Sequence, residues 1–140
     1  MNHSLLHQIA LTLIPGIGDK MIKSLIAHCQ TPEAIFSEKK SNLQKIPGIG
    51  SNAVRLLHSA NTLKRAEKEI EFLDSKNIEA HFFTDKEYPD RLKHCEDGPA
   101  IIYYKGNKNL NDQKFIAVVG TRKATHYGKT LTQKIIEDLK

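Results

Sequence analysis

The 140-residue chain has no tryptophan, two cysteines and few aromatics, five Phe and four Tyr. Two cysteines, Cys29 and Cys95, cannot build a disulfide framework, which predicts a reduced, cytoplasmic protein. Each follows a histidine, His28 and His94. Adjacent side chains on a helix diverge, and no Cys-x-x-Cys accompanies them, so no metal site is expected. No apolar run approaches the roughly 20 residues a helix needs to cross a bilayer. The opening Met1-Asn2-His3-Ser4 has no basic stretch before an apolar core, so no signal peptide is predicted either. The dinucleotide pattern G-x-G-x-x-G is missing. Gly128-Lys129-Thr130 imitates the end of a P-loop, but Lys123 stands where the P-loop needs its first glycine. No nucleophile, general base and orienting group are grouped in the chain. These absences predict a binding protein that is not an enzyme and holds no cofactor or metal.

What is present is basic and unevenly spread. The net charge is +5, from 21 Lys and Arg against 16 Asp and Glu. Residues 1–65 carry eight basic and three acidic side chains, residues 66–97 five basic and ten acidic, and residues 105–134 seven basic and one acidic, Asp112. Two basic blocks therefore flank an acidic connector. Such blocks serve as solvated faces in many proteins. Here both contain glycine turns, which turns attention to an anionic partner.

Ile14-Pro15-Gly16-Ile17-Gly18 recurs unchanged as Ile46-Pro47-Gly48-Ile49-Gly50. Helical periodicity flanks both copies: Leu5, Leu6, Ile9 and Leu13 before the first, Met21, Ile22, Leu25 and Ile26 after it, and Val54, Leu56 and Leu57 after the second. Thr31-Pro32-Glu33 reads as N-cap, first helical residue and acidic first turn. The prediction is an all-α unit of four or five short helices joined by tight glycine turns. Proline ends the first helix of each pair, and glycine tolerates a positive φ. The turn and the start of the next helix then present backbone N–H groups and a positive dipole end suited to a phosphate. Such contacts carry no base information. The same spacing also serves turns that only pack two helices. Lys20, Lys23, Lys45 and Arg55 lie nearby. Asp19 follows the first copy, where it opposes a phosphate or caps the helix. Ser51 and Asn52 are neutral at the matching place, so the second copy is the better phosphate site.

Downstream, Leu63, Ala66, Ile70 and Leu73 form the inner stripe of a helix ending at Asn77. Residues 78–83 and 100–104 read as strands, with a turn and short helix from Tyr88-Pro89-Asp90 to Leu92 between them. Residues 114–119 have no polar alternation after Lys114, which predicts a third strand buried on both faces of a parallel sheet. Gly120 and a helix from about His126 follow. Strand, glycine, polar loop and helix is the entry of a Rossmann-like unit, where anions bind. Arg122, Lys123 and Lys129 with the hydroxyls of Thr121 and Thr125 make a candidate phosphate pocket, and Tyr127 offers a stacking surface.

The repeated pentapeptide resembles the helix-hairpin-helix motif in its tandem form. That resemblance implies contact with a nucleic-acid backbone through Gly16, Ile17, Gly18 and Lys20, and through Gly48, Ile49, Gly50 and Ser51. A second, more specific resemblance covers residues 60–140. Tyr88-Pro89-x-x-Leu92, then Pro99 to Asn107, then Ile116-Ala117-Val118-Val119-Gly120-Thr121-Arg122-Lys123-Ala124-Thr125-x-Tyr127-Gly128 is similar to the DNA-processing protein A family, DprA or Smf. The family resemblance implies single-stranded DNA bound in a basic pocket of a Rossmann-like domain, its protection, and its transfer to the RecA recombinase in natural transformation. It assigns Gly120, Thr121, Arg122, Lys123, Thr125, Tyr127, Gly128 and Lys129 to that pocket, with Arg122 holding a phosphate. Members homodimerise, through a region that this chain is expected to lack.

The expected fold is α+β: an all-α tandem helix-hairpin-helix domain over residues 1–62, then an incomplete opening of a Rossmann-like α/β domain over 63–140. The leading functional reading is a single-stranded DNA-binding recombination mediator. The alternatives are a stand-alone hairpin module on duplex DNA and a fragment of a Rossmann-like nucleotide-processing enzyme.

Overall fold

Short apolar repeats at helical spacing, interrupted by Pro-Gly and Thr-Pro punctuation, make a chain of brief helices. The computed structural model describes residues 3–106, 110–111 and 116–139. It contains α1 (His3–Thr12), α2 (Asp19–Cys29), α3 (Pro32–Ser37), α4 (Lys40–Leu43), α5 (Ser51–Leu57) and α6 (Ala60–Lys76). These are followed by β1 (Glu79–Phe82), α7 (Asp90–Lys93), β2 (Ile101–Tyr104) and α8 (His126–Asp138).

Local signals set the helix ends. The Thr31 hydroxyl accepts the Ala34 N–H at 3.2 Å, and Pro32 opens α3, as its sequence predicts. Asn77 takes the left-handed conformation, φ 51°, and the Ile78 N–H returns to the Leu73 carbonyl, which closes α6. At the start of α4 the Glu38 carboxylate accepts from the Asn42 side chain and the Lys39 N–H; these bonds hold its pKa below the usual value. The His58 ring lies between two backbone carbonyls, with Nδ1 3.0 Å from that of Val54 and Nε2 2.9 Å from that of Glu38, and ties α5 to the α3–α4 link.

One apolar cluster joins the helices to the strands. Ile9 and Leu11 of α1, Leu25 of α2, Ile35 of α3, Leu43 of α4 and Leu57 of α5 are buried. Ala66, Ile70 and Leu73 of α6 cover α1, and Phe82 and Ala100–Ile101 complete the same cluster. Each full burial of a Leu or Ile contributes about 1.5–3 kcal/mol. The core therefore crosses the expected boundary between residues 62 and 63.

β1 and β2 pair antiparallel, with Phe82 opposite Ile101 and Glu79 opposite Tyr104. Among the described residues the sheet has these two strands alone. The predicted third strand is not found: residues 116–119 are irregular, and residues 114–115 lie outside the described part. Ile116, Val118 and Val119 are exposed rather than buried on two faces. A strand needs a neighbour for its N–H and C=O groups, and without one an apolar run keeps no regular pairing. The fold is accordingly mostly helical with a small antiparallel sheet, and the expected parallel arrangement is not seen in it.

Candidate nucleic-acid interface

The two pentapeptides fold alike. In each, the fourth residue donates back to the first: the Ile17 N–H to the Ile14 carbonyl at 3.1 Å, and the Ile49 N–H to the Ile46 carbonyl at 3.3 Å. Proline occupies the second position and a glycine of positive φ the third, +88° at Gly16 and +87° at Gly48. This is the type II turn, which requires glycine at that place. Ile14, Ile17 and Ile46 are buried and Ile49 is half-buried, so the apolar residues anchor the hairpins. The amides of Ile17 and Ile49 close the turns, whereas the sequence reading expected them among the free donors.

The second glycine of each copy differs from the first. Gly18 and Gly50 have extended backbones, φ −97° and −82°, and stand as N-caps of α2 and α5. A Cβ built on either meets nothing within 4 Å. Neither helix receives a side-chain cap. The first-turn amides of α2 and α5 therefore lack the covering hydroxyl that Thr31 gives to α3.

Around the second hairpin the charged groups face solvent. Lys39, Lys40, Lys45, Ser51 and Arg55 are exposed, and Arg55 makes a 2.7 Å hydrogen bond to the Asn52 side chain. A Cβ at Gly48 would come within 2.9 Å of the Met21 methyl, which places the second turn against α2. The first hairpin has different surroundings. The Asp19 carboxylate accepts the Ala100 N–H at 2.7 Å. The Lys23 ammonium donates to the Cys95 and Glu96 carbonyls at 3.1 and 3.4 Å. It lies 6.0 Å from the centre of the Phe83 ring. Lys20 is exposed. None of these three long-range bonds was foreseen, since no local pattern pairs residues 72 to 81 positions apart.

The loop before α8 carries the other predicted residues. Gly120 has open space around it. The Thr121 hydroxyl donates to the Lys123 carbonyl at 3.0 Å, folding the loop across Arg122. Thr125 caps α8 by accepting the Gly128 N–H at 3.1 Å, and the Lys129 N–H reaches the Thr125 carbonyl. Arg122, Lys123 and Lys129 are exposed, and Tyr127 is 75% exposed. Thr125 thus serves the helix end, while Arg122 and Lys123 on the loop and Tyr127 and Lys129 in the first turns of α8 remain on the surface.

Two tyrosines outside these segments have perturbed hydroxyls. The fully buried Tyr88 donates its hydroxyl to the Pro99 carbonyl. Burial first, then the negative charge of Asp19, pushes its pKa up. Burial also raises that of Tyr103. Among the described residues no group of three His, Cys, Asp or Glu side chains could hold a metal ion. No described helix is long and apolar enough to cross a membrane.

Comparison with known proteins falls on the same two segments. Residues 9–68 match the SAM-like helix-hairpin-helix tandem family. Residues 79–140 match the family described as DNA recombination-mediator protein A. The chain is 23% identical to Protein Smf of Synechocystis over 135 residues, 94% of this chain and 34% of that protein. It is 36% identical to the DNA processing protein DprA of Bacillus subtilis over 55 residues, 39% of this chain and 18% of that protein. The chain thus spans about a third of the longer-matching curated relative. No solved structure matches it. The resemblance to the DprA (Smf) family, with a helix-hairpin-helix tandem ahead of the family segment, is borne out.

Proposed function

We propose that this chain takes part in DNA processing by holding nucleic-acid backbone, and that it does so without turnover chemistry. The observation that carries the reading is the second hairpin. Its type II turn leads into an uncapped helix, with Lys45 and Arg55 exposed on either side. Backbone amides and exposed cations together suit a phosphate and ignore the bases. Gly48, Gly50 and Ser51 form this site on the turn that Ile49 closes, and Gly16, Ile17, Gly18 and Lys20 repeat its geometry in the first hairpin.

The names of the relatives support a finer reading. Its ligand is single-stranded DNA taken up by the cell, which the protein shields and hands to the RecA recombinase in the cytoplasm. Residues 63–140 then open a Rossmann-like domain whose glycine loop, Gly120 through Lys129, contributes a second phosphate contact through Arg122. The helical part over residues 1–62 is the duplex-tolerant partner of that loop, because hairpins recognise backbone geometry alone.

Oligonucleotide binding, followed by fluorescence anisotropy across a salt series, tests this. Affinity is expected to fall steeply with salt, and single strands to outcompete duplex. Arg122→Ala should reduce the salt slope by about one. Preference for duplex, with Arg122→Ala silent, would transfer the function to the hairpins alone. Binding that ignores salt would overturn the phosphate reading entirely.

A further inference from the structure

The two hairpins share a pentapeptide and a turn, yet their helices meet opposite surroundings. Lys23 and Arg55 occupy equivalent positions of the 32-residue repeat, as do Asp19 and Ser51. If both hairpins met nucleic acid, Lys23 and Arg55 would both be exposed, with no partner beyond their own helices; Arg55 meets this, bonded among the described residues only to Asn52 one turn away. Only Arg55 stands exposed on the surface. Lys23 is half-buried and bound to two carbonyls just past the end of α7. The Cys95 carbonyl also accepts the Gly98 N–H, and a carbonyl oxygen's second lone pair leaves room for the ammonium there. Asp19 stands in the first turn of α2, where its negative charge opposes an incoming phosphate. Its carboxylate holds the backbone of Ala100 instead.

We infer that the first hairpin has become a dock: Asp19 and Lys23 clasp the segment before β2, and the second hairpin alone faces nucleic acid. The clasp joins α2 to residues 95–100 and so holds the helical unit against the sheet. Asp19 and Lys23 act as positioning residues, since neither touches the proposed ligand. The division of labour explains why the repeat diverges at Asp19 and Ser51 while the turn itself stays unchanged. This inference rests on the backbone-binding reading only for the second hairpin; the clasp stands on its own contacts.

The test compares equivalent substitutions in the full chain. Lys23→Met keeps the aliphatic stem near Phe83 and removes the charge. Asp19→Asn keeps an acceptor for the Ala100 N–H and removes the repulsion. Asp19→Ala removes both. Binding of a short labelled oligonucleotide is measured across a salt series, and amide hydrogen exchange is read at Ala100. Arg55→Ala is expected to lower the salt slope by about one, while Lys23→Met and Asp19→Asn keep wild-type affinity and slope. Asp19→Ala should speed exchange at Ala100 roughly tenfold or more, as expected when a hydrogen bond to a charged group is lost. Asp19→Asn should not. A slope lowered by Lys23→Met as much as by Arg55→Ala would overturn the division of labour, as would tighter binding by Asp19→Asn. Unchanged Ala100 exchange in Asp19→Ala would overturn the clasp. If Arg55→Ala is silent while Asp19→Ala still speeds exchange at Ala100, the nucleic-acid reading of the second hairpin fails and the clasp survives.

Discussion

Gly48 holds φ near +87° and Gly50 does not, although both belong to one pentapeptide. Substitution should separate the two tasks. Gly48→Ala forces a side chain into a left-handed backbone and presses on the Met21 methyl, so it is expected to cost about 2 kcal/mol. Gly50→Ala meets open space at an ordinary φ and should cost less than about 1 kcal/mol. Urea melts of the two variants decide this; equal losses would contradict the assignment. Tyr88 supplies a second test at this scale. Its folded pKa lies above the unfolded value of about 10, so the associated stability is complete below that pH. It is lost as the pH rises through the folded value. Tyr88→Phe should lower stability by about 1 kcal/mol at neutral pH, through the orphaned Pro99 carbonyl, and make the alkaline fall shallower. An alkaline fall as steep as that of the unsubstituted chain would contradict it.

At the scale of elements, much was legible because the signals were local. The helical stripe of Leu63, Ala66, Ile70 and Leu73, the Thr31 cap and the stop at Asn77 all act within a few residues of themselves. The two strands at 79–82 and 101–104 were likewise visible, the first from alternation over residues 78–83 and the second from Ile-Ile-Tyr-Tyr. The run from Ile116 to Val119 is likewise rich in β formers and forms no strand. Composition states a preference for a pleated, covered surface; only a neighbour realises it. The same limit applies to the site. The turn geometry followed from Pro-Gly spacing, whereas the bonds of Asp19 and Lys23 depend on where β2 and α7 arrive. The His58 contacts with two carbonyls were equally hidden, since neither partner is marked in sequence.

Across the whole molecule, one core links a unit that sequence divides. Residues 1–62 contain both hairpins, but the tandem match runs to residue 68, α6 covers α1, and Phe82 and Ile101 finish the same cluster. A chain cut after Thr62 loses Ala66, Ile70, Leu73, Phe82 and Ile101 together. It is expected to melt without a cooperative transition by circular dichroism. A sharp transition would show that the tandem folds alone. The modest charge of +5 also takes on a shape at this scale. Its exposed share around the second hairpin and at Arg122 and Lys123 is where an anionic backbone would settle. The acidic connector instead includes the loop that clasps α2.

The most direct test of backbone binding by the second hairpin uses Gly50→Ala, the variant that leaves the fold in place. Oligonucleotide affinity should fall at every salt concentration, because the added methyl stands where the backbone approaches, while the melting curve stays close to that of the unsubstituted chain. Affinity equal to that of the unsubstituted chain, in a protein folded equally well, would contradict the account.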